Sequence, residues 1–505
     1  MRRTFKGTGL YHKEISVISG RFPFGKRPFF LWIKLNCDII FILYFCDKRG
    51  NEMKVEGTDF KCLEELYQAP GNQIAVVYGK KEGSCHSLIK EFLENKKFFY
   101  YRCRQVSAEE QKRMMGREVE QTYGIKLNNY SYEEYFKRVK SGDASKLVVV
   151  IDEASFLMKK DDAFFQSILA LKAKKLYPGP VLIVLVSSSI VWVEQELIES
   201  LKENAKRVDV TLKISDLTFL DVVRLFPDYS VPEIIRVYGV MGGVSNYLIH
   251  WDVKKSFKQN ICDLVLTEDG YMFDKAQEVI RTELRELSVY NTILASIAEG
   301  NNKLNDLFLK TGYSRAKISV YMKNLSYFDI IEKVHSFETG GWANAKKGVY
   351  QIKDTFTNFW YKFVFPYQSD LYLLSPSEFY DKHIEKEIDA YLNRYFQNVC
   401  REYLYLLNQM NRLPLEVKKL GTWVGKTGNI DIVAQSSDRQ NIVGLCNWEK
   451  PMLTVEMLKD LIAAMHKAKI SSDYFYLFSA KSFEPALIEM AKVDKRIELI
   501  DMNEL

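Results

Sequence analysis

The sequence lacks the clustered cysteines and histidines that a zinc site requires. Its eight cysteines include no C-x-x-C pair and its six histidines are scattered, so we expect no metal centre of this kind. Free thiols without a disulfide pattern are typical of a reducing compartment, and the predicted location is therefore the cytoplasm. The sequence also has no internal repeat and no low-complexity linker.

The body of the chain lacks a net charge. The formal charge is +6, but residues 1–52 hold ten of the 71 Lys/Arg and four of the 65 Asp/Glu in the sequence. The remaining residues therefore carry 61 charges of each sign. Net charge alone gives no argument that the body of the protein binds nucleic acid.

An uninterrupted membrane-spanning segment is also missing. The apolar run from Phe29 to Cys46 contains Lys34 and Asp38, and a charge near the middle of a span costs about 2.5–3.5 kcal/mol. No small-residue cleavage site follows, as a signal peptide would require. We therefore expect no integral membrane segment.

The first 52 residues differ in character from the rest of the chain. The run Lys48 to Glu52 is what a purine-rich ribosome-binding site would encode, and Met53 follows it directly. We hypothesise that residues 1–52 are a non-native extension and that translation starts at Met53. The alternative is a genuine membrane-associating leader.

From Met53 onward, buried apolar runs alternate with helical stretches. At 505 residues and 58.9 kDa the chain is too long for one ordinary core, so several domains are expected. The alternation predicts a parallel α/β sheet. Its four predicted strands are Gln73–Tyr78, Phe98–Arg102, Leu147–Ile151 and Val181–Val186.

After Leu212 the pattern becomes mainly helical. Short helices followed by a hairpin-like segment between Asn301 and Tyr350 fit a winged helix. From about Gln397, strand-like runs flank a helix around Val455–Lys467, which predicts a small separate α/β domain. Its predicted strands are Asn429–Ala434, Asn441–Leu445 and Tyr474–Phe478.

A strand, a glycine-containing loop and a helix occupy the place of a phosphate-binding loop. That loop has the pattern G-x-x-x-x-G-K-[ST], in which the lysine binds the β- and γ-phosphates and the hydroxyl holds Mg²⁺. Counted from Gly79, the second glycine falls on Ser84, the lysine on Cys85 and the hydroxyl residue on His86, while Gly83 leaves part of a backbone cradle. We therefore expect a degenerate nucleotide-binding loop.

Two acidic residues, Asp152 and Glu153, follow the third predicted strand. In a Walker B site such residues order a metal-bound water and polarise the attacking water. An apolar strand that ends in Asp-Glu also occurs where the pair caps a turn, and spacing alone favours that structural interpretation. Both residues are vestigial catalytic candidates.

Several further segments carry the motifs of one known family. They include Leu88–Leu93, Val149–Glu153, Phe226–Ser230, Met241–Leu248, Val320–Leu325, Gly348–Asp354 and Phe363–Pro366. Through them the chain beyond Met53 resembles prokaryotic, mostly archaeal-type AAA-related P-loop ATPases with a C-terminal domain similar to restriction endonucleases. Met241–Leu248 is similar to the family's Gly-Gly-x-Pro-x-Tyr-Leu motif, with Ser245 in place of proline.

The resemblance implies an α/β multidomain fold, with a P-loop NTPase-like parallel sheet, a helical lid, a winged helix and a small restriction-endonuclease-like domain. The expected boundaries are 53–212 for the ATPase-like domain, 213–280 for the lid, 281–352 for the winged helix, 353–385 for a connector and 386–505 for the last domain.

The last domain departs from the family pattern, as the phosphate loop does. The family pattern resembles a nuclease whose acidic residues bind Mg²⁺ and whose lysine steadies the nucleophile. This chain has Gln397, Leu445 and Asn447 in place of two carboxylates and the lysine, and only Asp431 remains. One carboxylate does not assemble a catalytic Mg²⁺ site, so Asp431 is predicted to be vestigial.

The predicted winged helix supplies candidate DNA contacts in a recognition helix that starts at Ser314 and in the wing. These candidates are Arg315, Lys317, Lys323, Asn324, Lys346 and Lys347. Such groups suit phosphate contact, and Arg315 or Asn324 could reach base edges. The alternative is a winged helix that packs against neighbouring domains, with its lysines in solvent.

Three functional hypotheses stay open. The first is a pseudoenzyme, an inactive homologue of an ATPase and of a nuclease that acts through protein or DNA interaction. The second is an ATP-binding AAA-type ATPase with a deviant loop, for which ATP and Mg²⁺ would be weakly bound cofactors. The third is a winged-helix DNA-binding protein. The oligomeric state is not indicated by the sequence.

Overall fold

The computed structural model describes residues 58–80, 83–139, 145–177, 179–338, 348–425 and 428–502, together with two short strands near the N-terminus. Those strands, β1 (Ile33–Leu35) and β2 (Asp38–Ile40), pair antiparallel. The rest of the predicted extension 1–52 lies outside the described residues. Packing contacts divide the chain into one unit that ends at Ser215 and a second that begins at Asp216.

The first unit alternates strands and helices, as its sequence predicts. Its elements are α1 (Thr58–Gln68), β3 (Gln73–Gly79), α2 (Cys85–Leu93), β4 (Phe98–Arg102), α3 (Ala108–Tyr123), α4 (Tyr132–Arg138), β5 (Leu147–Asp152), α5 (Ser155–Met158), α6 (Asp162–Lys172), β6 (Val181–Ser187), α7 (Ile198–Leu201) and β7 (Val210–Ile214). A π-helical turn at Trp192–Leu197 and a 3₁₀ segment at Lys202–Arg207 flank α7.

Five parallel strands form the sheet of this unit, in the order β4-β5-β6-β3-β7. β3, β5 and β6 are buried along their whole length, because helices cover both faces of the sheet. The four predicted strands and the parallel α/β sheet are confirmed. The sequence did not indicate β7, which extends two residues past the predicted domain boundary at 212.

The second unit begins with helices that share one apolar core. They are α8 (Phe219–Leu225), α9 (Val231–Met241), α10 (Ser245–Leu248), α11 (Phe257–Ile261) and α12 (Lys275–Glu283), with a π-helical turn at Cys262–Leu266. The Gly-Gly motif permits a close backbone approach here. A Cβ at Gly243 would lie 1.9 Å from the carbonyl oxygen of Leu217, and the Gly243 carbonyl accepts the Leu217 N–H at 2.8 Å.

Three helices and a pair of antiparallel strands follow along the chain. They are α13 (Leu287–Ala298), α14 (Leu304–Thr311), α15 (Arg315–Tyr327) and the antiparallel strands β8 (Ile331–His335) and β9 (Gly348–Ile352). Helix α15 presents Ile318, Met322 and Leu325 to the core at helical spacing. The connecting segment between β8 and β9 includes residues 339–347, which lie outside the described part of the chain.

A mixed sheet forms the last part of the chain, preceded by α16 to α19. The elements are α16 (Thr355–Phe363), a 3₁₀ turn at Phe365–Tyr367, α17 (Gln368–Leu373), α18 (Pro376–His383), α19 (Ile388–Gln409), β10 (Val417–Val424), β11 (Asn429–Ser436), β12 (Asn441–Asn447), α20 (Val455–Ala468), β13 (Tyr474–Ser479), α21 (Pro485–Val493) and β14 (Ile497–Asp501).

The strand order of this sheet is β10-β11-β12-β13-β14. The first three strands pair antiparallel and the last three pair parallel. Helix α19 packs on one face, while α20 and α21 pack on the other. The separate C-terminal α/β domain predicted from the sequence is therefore confirmed as a five-stranded mixed sheet.

Across the described parts of both units, no helix combines the length and the apolar character that a membrane span requires.

Candidate functional site

The segment that corresponds to a phosphate loop lies at the carboxyl edge of the first sheet. β3 ends at Gly79 in the interior of the sheet, and α2 begins at Cys85. Because the strands are parallel, the ends of β5 and β6 meet at the same edge. Asp152 at the end of β5, Glu153 directly after it and Ser188 after β6 therefore lie beside the start of α2.

The described loop residues are packed tightly against the protein. A Cβ at Gly79 would lie 2.7 Å from the carbonyl oxygen of Ile214, so the strand end tolerates only glycine without a shift. Gly83 donates its N–H to the Lys80 carbonyl at 3.0 Å. Ser84 is buried at the start of α2. The loop tip, residues 81–82, lies outside the described residues.

Cys85, which stands at the position of the P-loop lysine, belongs to the apolar core. Its side chain packs in the cluster formed by α1, α2 and one face of the sheet. Burial, with smaller contributions from Asp152 and other nearby acids, raises the pKa of the Cys85 thiol to about 12. This position therefore provides neither a cation nor a thiolate.

His86, at the position of the Mg²⁺-binding hydroxyl, contacts the acidic residue directly. Its Nε2 donates a hydrogen bond to Oδ2 of Asp152 at 3.1 Å. This hydrogen bond raises the pKa of the His86 imidazole, although burial acts in the opposite direction. The contact favours an imidazolium–carboxylate pair at the head of α2.

Asp152 has further donors from the neighbouring strand. Its side chain is buried, the Tyr100 hydroxyl donates to Oδ2 at 2.6 Å, and Nε of Arg102 lies 3.3 Å from the same oxygen. The other oxygen, Oδ1, accepts the Glu153 N–H at 2.9 Å. Burial alone would raise the pKa of Asp152, but the hydrogen bonds from His86 and Tyr100 and the charge of Arg102 lower it below its usual range. Asp152 is therefore held as a carboxylate by protein donors.

Glu153 turns toward the end of β6. Its backbone is left-handed at φ 51°, and its Oε2 accepts the Ser188 hydroxyl at 2.9 Å and the Ser188 N–H at 3.3 Å. Within the described residues, His86, Asp152 and Glu153 form a group whose ligand atoms all lie within 4.8 Å of one another.

The Mg²⁺ of a bound triphosphate does not fit the residues of this group. Mg²⁺ requires oxygen ligands and retained waters in octahedral geometry. Here an imidazole stands in place of the hydroxyl, and the aspartate oxygens already accept from Tyr100, His86 and the Glu153 backbone. The Arg102 guanidinium next to Asp152 also opposes the approach of a second cation.

Asp431, the acid that the sequence predicts to remain from a nuclease-like motif, accepts hydrogen bonds from protein donors in a similar way. Oδ1 of Asp431 accepts Nε2 of Gln397 at 2.9 Å, and Oδ2 accepts the Cys446 N–H at 2.9 Å. Burial raises the pKa of Asp431 to about 6, although the Cys446 hydrogen bond and Arg401 act in the opposite direction. The amide of Gln397 thus replaces a family carboxylate with a hydrogen-bond donor.

The other two substituted positions of this motif also lack metal ligands. Leu445 packs against the apolar cluster under α20 and α21. Asn447 is buried, donates to the Lys450 carbonyl at 3.1 Å and accepts the Lys450 N–H at 3.1 Å, so it closes the turn after β12. Of the three acids that the family motif predicts, Asp431 is the one present in this chain.

Most of the described DNA candidates lie on the exposed face of α15. Arg315, Lys317 and Lys323 are exposed there, whereas Asn324 is half-buried and donates its amide to the Tyr290 hydroxyl at 2.9 Å. The amide of Asn324 is therefore bonded to a buried tyrosine, and its contact with base edges stays a prediction. Lys346 and Lys347 lie outside the described residues.

The sequence alone missed Tyr100, Arg102 and Ser188. Each lies on a strand or turn next to Asp152 or Glu153 in space, and the register that aligns Arg102 with Asp152 becomes visible only in the sheet. The available signal was the polar residue at the end of the predicted strand Phe98–Arg102.

The first unit thus has the fold of a P-loop NTPase: a parallel sheet with its candidate nucleotide site between an interior strand and the following helix. In the second unit, residues 360–461 match the model of DUF234, a family described as archaeal and bacterial proteins of unknown function. The match confirms the archaeal-type family resemblance with a C-terminal domain.

Longer stretches of the chain are similar to one sequence relative and to several solved structures. The chain is 25% identical over 395 residues to an uncharacterized protein of Methanocaldococcus jannaschii, which covers 77% of this chain and 86% of the relative. A Walker-type ATPase of Pyrococcus abyssi is similar at 17% identity with a TM-score of 0.44, over 60% of this chain and 94% of that one. The ORC2 protein of Aeropyrum pernix is similar at 11% identity with a TM-score of 0.40, over 62% and 93%.

Proposed function

We propose that this chain is a non-hydrolysing relative of the archaeal-type P-loop ATPases that acts through interaction with protein or DNA. The observation that carries the proposal is the direct hydrogen bond from His86 to Asp152. It joins the positions that would hold Mg²⁺ in a working site, so the protein's own cation stands where the metal would be needed.

Two further observations support the proposal. The position of the P-loop lysine is a buried, neutral cysteine, so the β- and γ-phosphates lack their main cation. Of the acidic positions in the family motif of the C-terminal domain, only Asp431 carries a carboxylate, and its partner is the Gln397 amide in place of a second carboxylate. Both sites therefore lack the charge that their chemistry requires.

The test is a calorimetric titration of the purified full chain with ATP and Mg²⁺. We expect no binding tighter than about 100 μM, which corresponds to about 5.5 kcal/mol. Tight binding together with ATP hydrolysis that Asp152→Ala abolishes would establish the alternative, an AAA-type ATPase with a deviant loop.

A restored loop provides the positive control. The triple variant Ser84→Gly, Cys85→Lys, His86→Thr rebuilds the G-x-x-x-x-G-K-T pattern from Gly79. We expect it to gain saturable Mg²⁺-dependent ATP binding, measured as a rise in melting temperature with nucleotide. Asp152→Asn in the restored background should weaken that gain.

DNA binding through α15 is the second candidate function. Arg315, Lys317 and Lys323 are exposed on α15. The same helix also exposes Ser319 and Val320, so positively charged side chains are accompanied by small side chains that can contact DNA. Arg315 is held by its hydrogen bond to Asn305 at 2.6 Å and lies 4.0 Å from the centre of the Phe308 ring. These contacts pre-position its guanidinium at the start of the helix.

A mobility-shift titration against salt tests this candidate. Lys317→Ala should weaken DNA binding and lower the slope of log K against log salt by about one. The exposed lysine Lys459 on α20 offers a matched control, and Lys459→Ala should bind like the unsubstituted chain. A signal that is unchanged between roughly 50 and 200 mM salt would count against phosphate contact.

A further inference from the structure

A small cavity opens on the C-terminal sheet, where β13 and β14 begin and α19 has just ended. Its volume is about 230 Å³. This volume is below the roughly 300 Å³ at which pockets for drug-sized molecules begin, so it encloses only part of a ligand of that size. The polar and aromatic residues that line it are Arg412, Tyr474, Tyr476, Lys495, Arg496 and Glu498.

Cations outnumber acids around this cavity. Arg496 is paired with Asp494, through Nε to Oδ1 at 3.0 Å and a terminal nitrogen to Oδ2 at 2.7 Å. Among the described residues, the side chains of Arg412 and Lys495 have no ion-pair or hydrogen-bond partner. Two cations are therefore left to attract an anion, while the bound Asp494 holds Arg496 in a fixed orientation.

Tyr476 contributes a hydrogen-bond donor inside the cavity. The residue is 8% exposed, and within the described part of the chain its hydroxyl has no hydrogen-bond partner. Burial, aided by Glu498, raises the pKa of Tyr476 to about 12, so the phenol stays protonated at neutral pH. A ligand oxygen in the cavity would accept from this hydroxyl in place of solvent water.

The cavity also has an aromatic wall and one acceptor. Tyr474 and Tyr476 are two residues apart on β13 and therefore share a face of the sheet. Glu498 pairs with Tyr476 in register on β14. The carboxylate would repel a phosphate but can accept from an amino group or a sugar hydroxyl, which gives the cavity two chemically distinct ends.

We propose that this cavity binds a nucleoside phosphate, with its phosphate group at Arg412, Lys495 and the Tyr476 hydroxyl and its nucleoside against the tyrosine rings and Glu498. The ligand is either a free mononucleotide or the phosphorylated end of a DNA strand, since both present this chemistry. The site is built from strand starts of the C-terminal sheet. It does not include Asp431, and it does not depend on the proposal for the first unit.

The experiment measures anisotropy of a short single-stranded DNA with a 5′-phosphate and a 3′-fluorophore, titrated with the full chain. Competitors are AMP, inorganic phosphate and the same strand with a 5′-hydroxyl. Tyr476→Phe removes the hydroxyl alone, and the pair Arg412→Ala, Lys495→Ala removes the free cations. Lys492→Ala, at an exposed lysine on α21 outside the cavity, removes a nearby charge as a control.

We expect AMP binding to weaken at least tenfold in the double variant and about threefold to tenfold in Tyr476→Phe, with no change in Lys492→Ala. If the 5′-phosphate strand binds better than AMP and the 5′-hydroxyl strand does not, the strand end is the source; otherwise it is the free nucleotide. A loss of AMP binding in the double variant separates this site from α15, because that variant leaves the cations of α15 in place.

Three results would overturn the proposal. The first is no saturable binding of either AMP or the phosphorylated strand. The second is equal competition by inorganic phosphate and AMP, because the nucleoside would then go unrecognised. The third is an equal loss of binding in Lys492→Ala and the double variant, because general surface charge would then explain the affinity.

Discussion

Nε2 of His86 lies 3.1 Å from Oδ2 of Asp152, so the head of α2 and the end of β5 are joined by a charge-assisted hydrogen bond. In a P-loop ATPase these two positions would both serve the magnesium ion. Here the residue that replaces the hydroxyl neutralises the acid itself. The replacement of the hydroxyl residue by His86 and the retention of Asp152 are thus linked structurally. Without His86, the buried carboxylate of Asp152 would lose one of its charged partners.

We predict that His86→Ala destabilises the first unit by about 1–3 kcal/mol, because a hydrogen bond to a buried charge is lost. Tyr100 and Arg102 remain on Asp152 and limit the loss. The measurement is the melting temperature of the transition that includes this unit. His466→Ala, at an exposed histidine on α20, is the matched control and should change stability by less than about 0.5 kcal/mol. Equal effects of the two substitutions would contradict the pairing.

The same pair predicts a pH dependence. The folded-state pKa of His86 is raised, so its stabilising contribution is complete below the unfolded value of about 6.5 and is lost as pH rises through the folded value. The pKa of Asp152 is lowered, so its contribution is present above about 3.9 and is lost as pH falls through the folded value.

The stability difference between the unsubstituted chain and His86→Ala should therefore be largest between about pH 4 and 6.5 and should shrink above it. Urea unfolding of both chains at a series of pH values measures it. A difference that grows from pH 6 to pH 9 would show that His86 is neutral in the folded protein.

Beside Asp431, Gln397→Glu should destabilise the C-terminal domain at pH 8. The substitution replaces an amide donor 2.9 Å from Asp431 with a second carboxylate, and two like charges at this separation raise the pKa of the pair. We expect a loss of about 1–3 kcal/mol at pH 8 and a smaller loss at pH 5, where the pair shares a proton.

Thermal unfolding at the two pH values measures this effect. Gln409→Glu makes the same chemical change at the exposed end of the same helix and should have little effect, because solvent screens the new charge. Equal destabilisation at both pH values would point to lost packing and not to charge.

The sequence predicted the interior of both sheets better than their edges. Runs such as Leu147–Ile151 are apolar throughout because both faces are covered, and they predict buried strands directly. β7, β10 and β14 lie at sheet edges and carry polar residues among apolar ones, for example Lys213, Lys418 and Glu498, so they lack a continuous apolar run. These edge strands form because they pair with the neighbouring strand, and that pairing cannot be read from their own residues.

The same division holds for the candidate site. Counting from Gly79 placed Cys85 and His86 at the lysine and hydroxyl positions, because a loop motif is local in sequence. The count could not show that His86 reaches Asp152, which is 66 residues away. Nor could it show that Tyr100 and Arg102 supply further donors, since these contacts depend on the register between β4 and β5.

The buried side chain of Lys146 lies outside the candidate sites and donates hydrogen bonds to three acceptors in the first unit. It is 9% exposed, and its ammonium donates to the Leu66 carbonyl at 3.1 Å, the Ala69 carbonyl at 2.6 Å and Oε1 of Gln73 at 2.7 Å. It therefore satisfies the carbonyls at the end of α1 and fixes the start of β3. Burial lowers the pKa of Lys146, yet three acceptors surround the ammonium.

Lys146→Met keeps the length and apolar stem of the side chain but leaves these three acceptors without their donor. We predict a loss of about 2–4 kcal/mol in the stability of the first unit, because each buried acceptor left unsatisfied costs about 1–3 kcal/mol and the Leu66 and Ala69 carbonyls can recover part of this from water. Lys97→Met, at an exposed lysine before β4, controls for the loss of a charge and should change stability by less than about 0.5 kcal/mol. Urea unfolding followed by circular dichroism measures both variants. If Lys146→Met proves as stable as Lys97→Met, then the lysine does not anchor the junction between α1 and β3, and the hydrogen bonds there contribute no net stability.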